Sequence, residues 1–199
     1  MMLPLSFYTQ DDVLNVAKSL LGYKLCSLID GQYTSGYIVE TEAYAGVDDM
    51  ASHAYGSRRT TRNEAMYAHG GIAYVYLCYG IHHLFNVVTN VENTPHAVLV
   101  RALQPAEGID IQLARRKKQK YDHTLCAGPG SMSQAMGITK AYNFENLYNG
   151  NNIWIEQCYD LQPFDILCSP RVGVGYAGID ALLPYRYRIS GNKYCSSAK

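Results

Sequence analysis

The run Ile38-Val39-Glu40-Thr41-Glu42-Ala43-Tyr44 offers the clearest opening for chemistry. Along an extended strand alternate side chains share a face, which places Glu40, Glu42 and Tyr44 side by side. Two carboxylates next to an aromatic ring can do acid or base work. Burial raises a carboxyl pKa, a nearby arginine lowers it, and the balance sets the role. A bare E-x-E suits a solvent-facing strand equally well, so the surroundings carry the weight. The strand runs into a long polar loop, 45–71, holding His53, Arg58, Arg59 and Arg62. Loops of this length within compact domains are often functional.

A second constellation is Tyr74-Val75-Tyr76-Leu77-Cys78-Tyr79-Gly80-Ile81-His82-His83. Tyr74 and Tyr76 share a face, while Tyr79 and Gly80 form a tight connection at the strand's end. A rigid ring at a hairpin tip can act as a wedge between bases, although three tyrosines in a hairpin also suit ordinary cross-strand packing. Cys78, His82, His83 and His53 match no common zinc spacing, and no G-x-S-x-G elbow is present. No metal and no cofactor is expected. Ala127-Gly128-Pro129-Gly130 leads into a short helix near 131–136, whose free N–H groups can receive a phosphate or serve only as a cap.

The elements that must position these groups follow from periodicity. Thr9 and Asp12 have capping-box-like spacing, and Val13, Val16, Ala17, Leu20 and Leu21 recur at helical intervals until Gly22. Strands are expected at 23–30 and 35–44 about the turn Asp30-Gly31, then at 71–79, 84–90 and 97–103. A helix is expected over 105–118, and short strands near 152–157, 171–175 and 184–190. Strands cluster without regular βαβ alternation, which predicts an α+β fold: one domain spanning 1–199, with a curved antiparallel sheet, a few flanking helices and a protruding hairpin.

Composition narrows the setting. Lys plus Arg equals Asp plus Glu, 17 each, so no whole-surface attraction to nucleic acid exists and any anionic partner must meet a local patch. Arg115, Arg116, Lys117, Lys118 and Lys120 form one cluster, which by itself reads first as a solvated helix face or loop. Six cysteines lack C-x-x-C spacing and read as reduced thiols. No run is long and apolar enough to cross a bilayer, and residues 1–10 lack signal-peptide character, so no membrane association or secretion is expected.

Taken together, Val39-Glu40-Thr41-Glu42-Ala43-Tyr44, His53, Thr61-Arg62-Asn63, Tyr74-Val75-Tyr76, Tyr79-Gly80, Asn86, Leu99-Val100-Arg101-Ala102-Leu103, Gly128-Pro129 and Arg171-Val172-Gly173-Val174-Gly175 resemble the alkyladenine (methylpurine, 3-methyladenine) DNA glycosylase family. The match in order and spacing runs from Leu20 to Gly191. The resemblance implies a monomeric enzyme that extrudes damaged purines from double-stranded DNA and hydrolyses the glycosidic bond without forming a covalent intermediate. It implies work in the cytoplasm of a prokaryote or the nucleus of a eukaryote. By carry-over Glu42 activates water and Arg101 helps to place it. Tyr44 and Tyr76 wall the base pocket, His53 closes it, and Asn86 rejects guanine. Tyr79 fills the gap left in the duplex, with Ile81 and His82 extending the hairpin, and Arg58, Arg62 and Gly128 are candidates for phosphate contacts. Two other readings remain open: a nucleic-acid-binding module that stacks bases without chemistry, and a hydrolase of free nucleosides.

Overall fold

The computed structural model describes residues 1–158 and 163–197. Two short helices, α1 (Leu5–Tyr8) and α2 (Val13–Ser19), precede the hairpin β1 (Lys24–Ile29) and β2 (Gln32–Tyr44). Next come β3 (Ala73–Cys78), β4 (His82–Thr89) and β5 (His96–Glu107), then α3 (Ile109–Arg116) and α4 (Pro129–Met136). Three short strands follow: β6 (Ile153–Glu156), β7 (Ile166–Ser169) and β8 (Arg186–Ile189). All eight strands join one antiparallel sheet ordered β3-β4-β5-β2-β1-β6, with β8 pairing both β2 and β7. The α+β expectation holds.

The long strand β2 organises the sheet. β5 lies along one edge from Ser35 to Tyr44, while the other edge is shared, Gln32–Tyr37 pairing with β1 and Glu40–Glu42 with β8. The β2/β5 register shifts on both sides of Glu40, an irregularity of the kind that bends a strand and re-aims its side chains. Both faces of the strand are covered: Thr41 Oγ1 donates to the Ala17 carbonyl of α2 at 2.8 Å on one side, and Glu40 and Glu42 are fully buried on the other. Carboxylates on such a strand must find partners inside the protein.

Several local expectations are corrected. Asp12, not Thr9, caps α2, its side chain accepting from the N–H groups of Leu14 and Asn15, while Thr9 ends α1. The segment 105–118 divides, because β5 continues to Glu107 and Gly108, at φ +67°, makes the corner into α3. Residues 171–175 form a loop that enters a 3-10 segment, Gly175–Leu182, and the strand near this point is Ile166–Ser169. The cluster at the end of α3 is no mere solvated face. Arg115 donates to the carbonyls of Ile29 and Ala135, and Arg116 to that of Leu125, tying α3 to α4 and β1. Cys26, Cys78, Cys126, Cys168 and Cys195 are free thiols, and among the described residues no helix is long and apolar enough to cross a membrane.

The loop 45–71 carries three 3-10 turns and is closed at its far end by Gly70, whose N–H donates to the Asn90 carbonyl while Asn90 N–H donates to that of Tyr8. A Cβ at Gly70 would collide with the Tyr8 carbonyl and lie 2.9 Å from that of Asn90. Backbone atoms cannot yield, so Gly70→Ala is expected to destabilise the fold by about 1–3 kcal/mol. A lower urea midpoint at unchanged m-value would register this.

Candidate active site

Glu40 and Glu42 do share a face, with Arg101 of β5 between them. Its Nε lies 3.0 Å from Glu40 Oε1 and its Nη1 3.2 Å from Glu42 Oε1. Glu40 has three further donors: Arg186 Nε at 2.7 Å, Ser196 N–H at 2.6 Å and Ser196 Oγ at 2.9 Å. It is an internal anchor with no capacity left for a substrate. Glu42 differs. Its Oε1 also accepts the Val172 N–H at 2.8 Å, its Oε2 accepts the Tyr44 hydroxyl at 2.9 Å, and these partners, with Arg101, line a cleft of about 620 Å³. Glu42 itself is 0 % exposed and sits one layer beneath that wall.

The loop bearing Val172 is held by Arg171. The guanidinium donates to both carboxylate oxygens of Asp49, at 2.5 and 2.8 Å, and to the carbonyls of Ala43 and Asp180. Its centre lies 4.9 Å from the Tyr44 ring and 5.2 Å from that of Tyr185. Burial pushes the Asp49 carboxyl up, but Arg171 and the N–H groups of Ala45 and Ala51 outweigh it and leave the pKa below the usual aspartate value. One arginine thus positions two of the three groups that hold Glu42, namely the Tyr44 hydroxyl and the Val172 N–H.

Tyr44, His53, Tyr74, Tyr76 and Asn86 surround the cleft. The Tyr74 and Tyr76 rings lie 5.2 Å apart, and His53 meets Tyr76 edge-on at 4.7 Å while its Nδ1 is 2.8 Å from the Tyr74 hydroxyl. Burial, with added repulsion from Arg62 and Arg58, pushes the His53 pKa down to about 4. Burial, reinforced by Glu42 and Tyr76, pushes Tyr44 well up. These walls are therefore uncharged near neutral pH. The Asn86 amide nitrogen donates to the Tyr74 carbonyl at 3.0 Å, which leaves its Oδ1 as the atom free to face the cleft.

The hairpin tip stands clear of the body. Tyr79 and Gly80 have φ values of +50° and +73°, and Ile81 N–H donates to the Cys78 carbonyl, the signature of a tight hairpin turn. Tyr79 is 89 % and Ile81 72 % exposed. His82 lies against Gly130, where a Cβ would sit 2.8 Å from the imidazole, so the start of α4 packs directly on the hairpin. Gly128 and Arg62 line the cleft. Arg58 does not: its side chain is exposed outside it, and its carbonyl accepts from Asn63 and Tyr67.

A family model described as methylpurine-DNA glycosylase (MPG) matches residues 6–193. The chain belongs to the methylpurine-DNA glycosylase family. A relative from Chlamydia felis, named "Putative 3-methyladenine DNA glycosylase", is 49% identical over 193 residues, covering 96% of this chain and 98% of the relative. Proteins of the same name from Chlamydia pneumoniae and Bacillus cytotoxicus are 45% identical over 190 residues and 43% over 202. They cover 95% of each chain in the first case, and 97% of this chain and 98% of the relative in the second.

To the residues that the family resemblance gave a role, the structure adds four, of which Tyr74 and Arg171 stand in its motifs without one. Tyr74 is the inner wall beneath Tyr76, Arg171 and Asp49 form the clamp, and Tyr176 lines the cleft mouth. Tyr74 shares its strand face with Tyr76, so alternation already placed it there. Asp49 and Arg171 lie 122 positions apart and carry no local signal of contact.

Two outcomes follow. Arg171→Met is expected to cost about 3–5 kcal/mol in thermal or urea unfolding, because it strands the buried Asp49 charge. Since Asp49's folded pKa is lowered, the pair's contribution is complete above the unfolded value near 3.9 and lost as pH falls through the lower folded value. Melting curves should accordingly weaken below about pH 4, less so in Asp49→Asn. Imidazole NMR should find His53 neutral through pH 5.5, with a midpoint near 4.

Proposed function

We propose that this enzyme extrudes an alkylated purine from double-stranded DNA into the aromatic cleft and hydrolyses its N-glycosidic bond with a water activated by Glu42. The observation that carries this reading is the Glu42 carboxylate, held by Arg101, Val172 N–H and Tyr44 hydroxyl directly beneath a cleft walled by neutral rings. Alkylation of a ring nitrogen gives the purine a positive charge, which improves the leaving group and favours stacking on tyrosine faces. An imidazolium at His53 would repel that cation. The neutral imidazole does not.

Tyr44, Arg101 and Val172 stand between Glu42 and the cleft, and the water is taken to enter among them as the extruded sugar arrives. Its oxygen bonds to the anomeric carbon as the carbon–nitrogen bond breaks. The bonding pair neutralises the departing base, and Glu42 accepts the water proton. The oxocarbenium-like transition state lies near a carboxylate whose charge Arg101 shares with Glu40, so positive charge on the sugar finds an anion already in place. The products are a free base and an abasic site. Tyr79, with Ile81 and His82, fills the vacated space in the duplex, and the chain works as a single domain over 1–199 and as a monomer. Deaminated purines, which carry no positive charge, extend the substrate range to the degree that Asn86 and His53 admit them.

The deciding experiment identifies bases released from methylated and from deaminated duplex DNA. Glu42→Gln is expected to slow release by roughly 10²- to 10⁴-fold, with duplex binding kept. Tyr79→Ser should impair release from duplex far more than from single strands. A binding module without chemistry would release nothing, and a nucleoside hydrolase would be indifferent to Tyr79. Borohydride should trap no covalent adduct.

A further inference from the structure

A second cavity, of about 360 Å³, lies beside the hairpin and is lined by Thr61, Arg62, Tyr76, Leu77 and Lys140. Arg62 and Tyr76 border the main cleft as well, so the two spaces adjoin along strand β3, an edge of the sheet. Eight of the 17 lysines and arginines are engaged elsewhere. Lys24, Arg59, Arg101, Lys118, Arg171 and Arg186 face carboxylates, and Arg115 and Arg116 bond to main-chain carbonyls. Among the described residues no carboxylate pairs with Arg62 or Lys140. Arg62 rests 5.3 Å over the Tyr76 ring, with a long contact, 3.4 Å, to the Leu77 carbonyl and a further one to the Tyr74 hydroxyl. The backbone of Lys140 is fixed to the hairpin, its N–H donating to His83 Nδ1 at 3.1 Å. Among the described residues no acidic side chain lines the notch.

We propose that this notch binds one backbone phosphate of the duplex beside the point where the hairpin enters, with Arg62, Lys140 and the Thr61 hydroxyl as its donors. A phosphodiester carries a single charge and two exposed oxygens, which suit a guanidinium fork, a mobile ammonium and a hydroxyl. The geometry supplies the rest of the case. The Tyr79 tip protrudes within a few residues of Leu77, and a duplex parted there must carry a phosphate chain past the adjoining edge. In a protein of zero formal net charge, a site of this kind supplies the local attraction that the surface as a whole lacks. The proposal rests on the reading that the hairpin enters DNA. Its test uses undamaged duplex, so failure here is separate from failure of the Glu42 chemistry, which base release reports.

Lys140→Gln is expected to weaken binding of undamaged duplex roughly eightfold at 0.1 M salt and to flatten the log–log salt dependence by about one, as loss of one phosphate contact implies. Lys120→Gln, exposed and outside both cavities, serves as the control and should change neither. Neutral methylphosphonates introduced one at a time along each strand should reveal one position that weakens the unsubstituted protein but not Lys140→Gln. Circular-dichroism melting confirms that each variant is folded. An unchanged salt slope in Lys140→Gln, an equal loss in Lys120→Gln, or the absence of any coupled methylphosphonate position overturns the proposal. So does a notch that takes up inorganic phosphate through Lys140 while duplex affinity is insensitive to the substitution.

Discussion

Everything around the candidate site depends on Arg101, a buried guanidinium shared by two buried carboxylates. Alone, Glu40 and Glu42 on adjacent same-face positions of a strand covered on both sides would repel each other across a medium that screens poorly. With Arg101 between them, and Arg186 and Ser196 completing the shell of Glu40, the charges are matched and hydrogen-bonded. Burial pushes the Arg101 pKa down, but Glu42 and Glu40 more than reverse it, so the guanidinium holds its proton. The two acids thereby acquire different tasks. Glu40 is consumed in holding the arginine, and Glu42 keeps contacts only to groups that themselves front the cleft.

The same economy governs charge throughout the molecule. Ion pairs lie in the interior or are spread over the surface, the cleft is walled by neutral rings, and Arg62 and Lys140, beside the hairpin, are among the cations without a carboxylate partner in the described residues. A cationic base and an anionic backbone make opposite demands. Under the proposed function they are met in adjoining places, neutral π faces within and arginine and lysine at the rim.

Period-two alternation was enough to put Glu40, Glu42 and Tyr44 on one face and to pair Tyr74 with Tyr76, because those relations are local to a strand. The positions of most strands along the chain and the hairpin tip at Tyr79-Gly80 are legible for the same reason. The roles of Glu42, Arg101 and Asn86 came from family resemblance, since nothing local in the sequence says that β5 lies against β2. The strand expected at 171–175 failed because Val172 and Val174 alternate with glycines as a strand would, whereas tertiary contacts of Arg171 hold the segment as a loop. Likewise Arg115 and Arg116 read as surface until the carbonyls they reach are brought near by the fold. Arg58 is a candidate phosphate contact by its residue type, and nothing in the sequence shows that its carbonyl also holds Asn63 and Tyr67.

The divided edge of β2 has a temporal meaning. Its first half closes with β1, a neighbour in the chain, but its second half waits for β8, and Glu40 waits for Ser196, 156 positions later. A chain emerging from the ribosome can zip the early hairpin long before the partners of Glu40 exist. The floor beneath the cleft thus depends on residues made late, and a partly synthesised chain carries its aromatic walls over an unfinished floor.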